Sequence, residues 1–131
     1  MKVVALDHGT VRTGVAVSDQ TGTLARPLTV VVRVGTDAGF AALLELLESE
    51  RPERIVVGLP LSLDGGEHGQ ARLARAFAAR LAEAVEVPVE LFDERFTSRL
   101  ADQRGGTAAR DARAAATLLA DYLRTVHDPG T

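Results

Sequence analysis

Apolar positions fall first in short runs and later at helical spacing. Val3 to Leu6 is an apolar run closed by Asp7, which predicts a buried strand. Turn-forming residues occupy His8 to Thr13, and Gly14 to Ser18 predicts a second strand, closed by Asp19 and the turn Gln20-Thr21-Gly22. Thr29 to Arg33 is rich in β-branched residues and predicts a third strand. With no helical pattern between them, these three form a meander of hairpins. Thr36 then suits the N-cap of a helix reaching about Glu50, with Phe40, Leu43, Leu44 and Leu47 at helical spacing and Pro52 beyond its end. Arg54 to Leu59 is apolar without alternation, as in a strand covered on both faces. Pro60 to Gly69 is a Gly-containing polar loop. A helix follows from Gly69 to about Val85, with an apolar stripe of Leu73, Phe77 and Leu81. Val87 to Phe92 predicts a fifth strand ending at Asp93-Glu94. The last helix runs from Thr107 to about Val126 through Ala115, Leu118, Leu119, Tyr122 and Leu123.

The order β-β-β-α-β-α-β-α describes an α/β protein. Hairpins at the start and helix-separated strands afterwards give a mixed five-stranded sheet flanked by helices, with right-handed crossovers in the second half. That order matches the RNase H-like fold. Residues 1–126 are expected to form one domain, and residues 127–131 a frayed C-terminal tail.

Composition narrows the classes. The chain has 131 residues, 46% hydrophobic and 25% charged, the balance of a globular protein. With four Phe, one Tyr and no Trp, the core must be built from Ala, Val and Leu. The absence of cysteine excludes disulfides, thiolate nucleophiles and zinc–thiolate sites, and fits a cytoplasmic location. No apolar run approaches the roughly 20 residues of a membrane span, so no membrane association is expected. The net charge of −3 offers no general attraction to nucleic acid, but Arg95, Arg99, Arg104, Arg110 and Arg113 fall in one short stretch.

Three places concentrate carboxylates where chemistry is possible. Asp7 closes a strand beside Gly9, where a phosphate could approach; a turn aspartate capping its own backbone has the same signature. Asp93 and Glu94 stand where the fifth strand stops, and since successive strand residues point to opposite faces, the two diverge. Asp111 shares a helical face with Ala115, Leu118 and Tyr122, a face that must pack on the sheet. An unpaired carboxylate there would be costly, although an acid in a first helical turn is also favoured by the dipole. Asp102 and Asp121 are expected to face solvent, and His8 to be an exposed turn residue. Acids from two strand ends and one helix suit a divalent-metal phosphodiesterase, because Mg²⁺ or Mn²⁺ takes hard oxygen ligands. The Gly58 to Gly66 loop, at the carboxyl end of a central strand, could bring backbone N–H groups to a phosphate.

The motifs resemble those of the YqgF/RuvX family. Asp7-His8-Gly9-Thr10 with Arg12, Gly14, Val15, Ala16 and Asp19 is similar to its opening motif. Ile55-Val56-Val57-Gly58-Leu59-Pro60-Leu61 with Asp64-Gly65 resembles the second, Asp93-Glu94-Arg95-Phe96-Thr97-Ser98 the third, and Asp111 before Ala114-Ala115-Ala116 and Leu118-Leu119 the last. The four come in family order over nearly the whole chain. The resemblance implies a metal-dependent nuclease of RNase H-like fold, with Asp7, Glu94 and Asp111 as catalytic, metal-binding acids and Mg²⁺ or Mn²⁺ as cofactor. Gly9, Thr10, Arg12, Gly58, Arg95, Thr97 and Arg99 would contact substrate. The implied function is maturation of the 5′ end of precursor 16S ribosomal RNA. The alternative is a Holliday junction resolvase-like DNA endonuclease acting on branched or single-stranded DNA. Arg104-Gly105-Gly106 stands where a longer basic arm is expected, which bears on substrate contacts more than on chemistry.

A non-catalytic nucleic-acid or nucleotide-binding module is the remaining class, since an Asp-x-Gly-Thr hairpin also binds phosphate in actin-like ATPases. Those need two lobes to enclose a nucleotide, and this chain has length for one. Monomer and homodimer both fit the sequence.

Overall fold

The structure, a computed structural model, describes residues 1–60, 69–93 and 108–127. Its elements are β1 (Val3–Asp7), β2 (Arg12–Ser18), β3 (Ala25–Val32), α1 (Asp37–Glu50), β4 (Arg54–Leu59), α2 (Gly69–Ala84), β5 (Val89–Asp93) and α3 (Ala108–His127). The strands make one five-stranded sheet in the order β3-β2-β1-β4-β5. β2 pairs antiparallel with β1 and β3, and β4 pairs parallel with β1 and β5. The expected meander and parallel half are both present.

Alternation along the strands divides the core in two. Val4, Leu6, Val15, Val17, Ile55 and Val57 face one way and pack with Phe40, Leu43 and Leu47 of α1 and Phe77 and Leu81 of α2. Val3, Ala5, Ala16 and Val56 face the other way, against Ala115, Leu118, Leu119, Tyr122 and Leu123 of α3. The small side chains on this second face let a single helix lie close to the sheet. β4 is buried along nearly its whole length, as its unbroken apolar run requires.

Local chemistry sets the boundaries. Thr36 caps α1, its hydroxyl accepting from the Gly39 N–H at 3.1 Å. The helix closes on Arg51 in the left-handed region, whose N–H donates to the Leu47 carbonyl at 2.9 Å. β3 starts at Ala25, earlier than its β-branched residues announce, and contains Pro27. Because β3 is an edge strand, Pro27 can sit there without removing a ladder bond, and the register slips beside it, between Val15 and Ala16. β5 starts only after Pro88, whose carbonyl accepts from the Ile55 N–H.

Two expectations are corrected. Leu73 is 46% exposed instead of lying in a buried stripe with Phe77 and Leu81. Phe77 stacks on His8, the residue that follows β1, while Ala84 and Val85 line a cavity with Ile55 at the opposite end of the sheet. The packed stripe of α2 runs through Ala71, Ala74, Phe77, Ala78 and Leu81, and Leu73 falls outside that arc. Asp121 is buried, 6% exposed, instead of facing solvent; it forms an ion pair with Arg124 one turn on. α3 presents a broad face to β1, β2 and β3, and Asp121 is drawn in beside Leu118 and Tyr122. His127 is the last residue of α3, and its Nε2 lies 2.6 Å from the Gly22 carbonyl oxygen.

Candidate active site

The parallel strands β1, β4 and β5 all end at the same edge of the sheet, where α1, α2 and α3 all begin. Asp7 is the last residue of β1 and is half-buried. It alternates with Val3 and Ala5, so it belongs to the face covered by α3. Its register partner on β2 is Gly14. A Cβ on Gly14 would stand 2.7 Å from the Asp111 carbonyl carbon and closer still to its oxygen. The missing side chain of Gly14 is therefore the space into which the first turn of α3 fits. Asp7 and Asp111 reach the same face by this route, one across the β1–β2 pair and the other by direct contact of α3 with β2.

Arg12 begins β2 and holds Asp111: Nε donates to Oδ2 at 2.5 Å. A guanidinium on a helix-borne carboxylate offsets the cost of an acid close to the apolar stripe of α3. The hairpin between Asp7 and Arg12 is closed by Thr13, which is fully buried and whose hydroxyl lies 3.4 Å from the Gly9 carbonyl oxygen. A Cβ on Gly9 would collide with the Arg12 carbonyl, so only glycine fits there. Thr10 is exposed at the tip.

Gly58 lies on β4 opposite Phe92 and alternates with Val56 toward α3, on the same face as Asp7. On β5, Leu91 packs with the α1/α2 core and Phe92 with α3, its ring edge-on to Tyr122 at 5.6 Å. Asp93, paired with Leu59, therefore returns to the α1/α2 face, away from Asp7 and Asp111. Glu94, Arg95, Thr97 and Arg99 lie outside the described residues, as does the loop after Pro60. Among the described residues no three His, Cys, Asp or Glu side chains form a metal-holding group.

His8 departs from expectation. It is half-buried, stacked on Phe77 at 4.7 Å between centroids, and its buried Nδ1 has no hydrogen-bond partner. Burial lowers its pKa, favouring the neutral ring. The sequence placed it in a turn but could not show that α2 would lie over that turn.

Charge is distributed unevenly. Arg12, Arg33, Arg72, Arg75, Arg110 and Arg113 belong to strand ends and helix starts at the carboxyl edge. Glu48, Glu50, Glu53, Glu83 and Glu86 gather at the other edge, where α1 and α2 end. The net charge of −3 thus conceals a cluster of arginines at the edge that carries Asp7 and Asp111, while Lys2, Arg51 and Arg54 offset the acids at the other.

The model of the family described as RuvX, Holliday junction resolvase, matches residues 1–125. The chain belongs to the RuvX family. A relative from Anaeromyxobacter dehalogenans (strain 2CP-C), named for a pre-16S rRNA nuclease, is 46% identical over 132 residues, spanning 94% of this chain and 96% of the relative. One from Bordetella parapertussis with the same name is 41% identical over 128 residues, spanning 97% and 96%. Among solved structures, Thermus thermophilus RuvC superposes with a TM-score of 0.61 at 20% identity, covering 97% of this chain and 96% of RuvC. RuvC in complex with a Holliday junction substrate gives 0.60 at 22% identity, covering 98% and 96%. At these identities the likeness is one of fold: the RuvX chain has the RNase H-like fold of RuvC.

Proposed function

We propose that this chain is a divalent-metal-dependent nuclease that hydrolyses phosphodiester bonds in precursor ribosomal RNA. The observation that carries the reading is the convergence of Asp7 and Asp111 on one face at the carboxyl edge, with Gly14 leaving room for α3 between them. Glu94 completes the set in this reading, because Asp93 is committed to the opposite face and Glu94 is the next acid in the chain.

The donor set fits Mg²⁺ or Mn²⁺. Asp7 and Asp111 offer hard carboxylate oxygens, and among the described residues no histidine shares their face: His8, next to Asp7, turns to Phe77. When bound, such an ion supplies positive charge at the attacking and leaving oxygens of the phosphodiester. The chain's own residues do the rest. Asp7, Glu94 and Asp111 hold and orient. Arg12, Arg95 and Arg99 bind phosphate oxygens and offset the repulsion between an RNA backbone and the acids. Gly9, Thr10, Thr97 and Gly58 let the strand approach closely.

The names of the relatives support precursor 16S ribosomal RNA as substrate, a role that fits a cytoplasmic location. No helix among the described residues is long and apolar enough to cross a membrane. A DNA-junction activity is the second reading, favoured by the family description and the fold shared with RuvC. The deciding assay sets a 5′-extended 16S precursor and a four-way DNA junction side by side with Mn²⁺ at equal enzyme and salt. Faster cleavage of the RNA supports processing. Paired symmetric nicks in the junction with intact RNA would reverse the order.

A further inference from the structure

We propose that the first two turns of α2 form a second nucleic-acid contact, in which Arg72 and Arg75 bind consecutive phosphates of a single strand and Leu73 supports the sugar or base between them. Resting on the nuclease reading, this contact lies apart from the acids, on the other face of the sheet.

Phe77 is held at the level of the strand ends by its stack on His8. The two turns before it, Gly69 to Ala76, form the start of α2 at the carboxyl edge. Ala71 and Ala74 pack into the core on one side of these turns; Arg72, Leu73, Arg75 and Ala76 are exposed on the other. Arg72 and Arg75 are three apart, so their Cβ atoms are about 5–6 Å from each other, and long side chains from that spacing can reach neighbouring phosphates. Arg75 also makes a contact within the chain. Leu73, 46% exposed between the two arginines, can meet the apolar face of a sugar or base. On the other side of the sheet Arg110 and Arg113 stand on the first turns of α3. A strand crossing the carboxyl edge thus meets cations on both sides of Asp7.

The test is fluorescence anisotropy with a labelled single-stranded RNA and a DNA of the same sequence, titrated across a salt series without divalent metal. Arg72→Ala/Arg75→Ala should lose affinity and about 1.4 units of salt slope, about 0.7 per phosphate contact on a single strand. Arg72→Lys/Arg75→Lys should retain the slope, and Leu73→Ala should weaken binding without changing it. Arg80→Ala is the control: it removes one charge from the same helix, but Arg80 lies over the Phe40 ring at 3.8 Å, away from the first two turns. A double variant with the wild-type slope, or an equal loss in Arg80→Ala, overturns the proposal and leaves the nuclease reading intact. A wild type that binds neither strand also overturns the proposal, while cleavage with Mn²⁺ tests the nuclease reading separately. Equal losses on RNA and DNA assign the contact to the phosphates, and a loss on RNA alone to the ribose.

Discussion

Arg12 Nε and Asp111 Oδ2 lie 2.5 Å apart across 99 residues of sequence, joining the start of β2 to the first turn of α3. The pair is partly exposed, at 39% and 24% of the side chains, so its contribution to stability is limited to about 1 kcal/mol. Its consequence lies in the charge at the candidate site. Arg12→Ala should leave the melting temperature nearly unchanged, tighten Mn²⁺ binding severalfold by calorimetry, and flatten the salt slope of RNA binding by about one unit. Weaker Mn²⁺ binding in this variant would mean that Arg12 orients Asp111 for the ion instead of competing with it.

Gly14 gives a sharper test, because its missing Cβ is where the Asp111 carbonyl sits. Gly14→Ala must push the start of α3 outward by about 1 Å, a displacement that can cost a factor of about 100 in rate when it separates catalytic groups. Overpacking of this kind also destabilises by about 1–3 kcal/mol. Gly39→Ala is the comparison, since a Cβ there collides with the Arg33 carbonyl at the start of α1, away from the acids. Both variants should melt earlier, and only Gly14→Ala should weaken Mn²⁺ binding. Equal Mn²⁺ affinities would reduce Gly14 to a packing role.

Asp7→Asn preserves the shape of the β1 end while removing one carboxylate from the face it shares with Asp111. Cleavage should fall by about 100-fold or more. The melting temperature should hold or rise, because like charges that repel are relieved. Wild-type cleavage in the purified variant would remove Asp7 from the site.

His8 links stability to acid. Its folded pKa lies below the ordinary 6.5 because the ring is buried against Phe77. Below pH 6.5 the unfolded chain takes up the proton before the folded one, so the unfolded state gains and stability declines as pH falls toward the lowered folded value. Above pH 6.5 the effect vanishes. His8→Phe keeps the stack and removes the titration, so thermal melts of the variant should decline less between pH 6.5 and 5 than those of the wild type. Parallel curves would show that the His8 ring is protonated as readily in the fold as out of it.

The order of elements, the strands of the parallel half and the positions of Asp7 and Asp111 were legible in the chain. Apolar runs closed by acids mark strand ends, and Thr36 marks a helix start, because these are local physical constraints. The spacing of Asp111 with Ala115, Leu118 and Tyr122 likewise placed it on the packed face of its helix. Four properties depended on the assembled sheet. Which of Asp93 and Glu94 could share a face with Asp7 followed from the β4–β5 register, set when Leu59 pairs with Asp93. The closeness of α3 to β2 followed from the vacancy at Gly14, and a glycine in a strand does not announce what will fill its space. Leu73 reads as core by its spacing with Phe77 and Leu81 but is exposed, because α2 packs along Ala71, Ala74, Ala78 and Leu81, a choice of face made by the tertiary packing. A net charge of −3 says nothing of its distribution. Arg12, Arg33, Arg72, Arg75, Arg110 and Arg113 share one edge only because all three helices start where the parallel strands end.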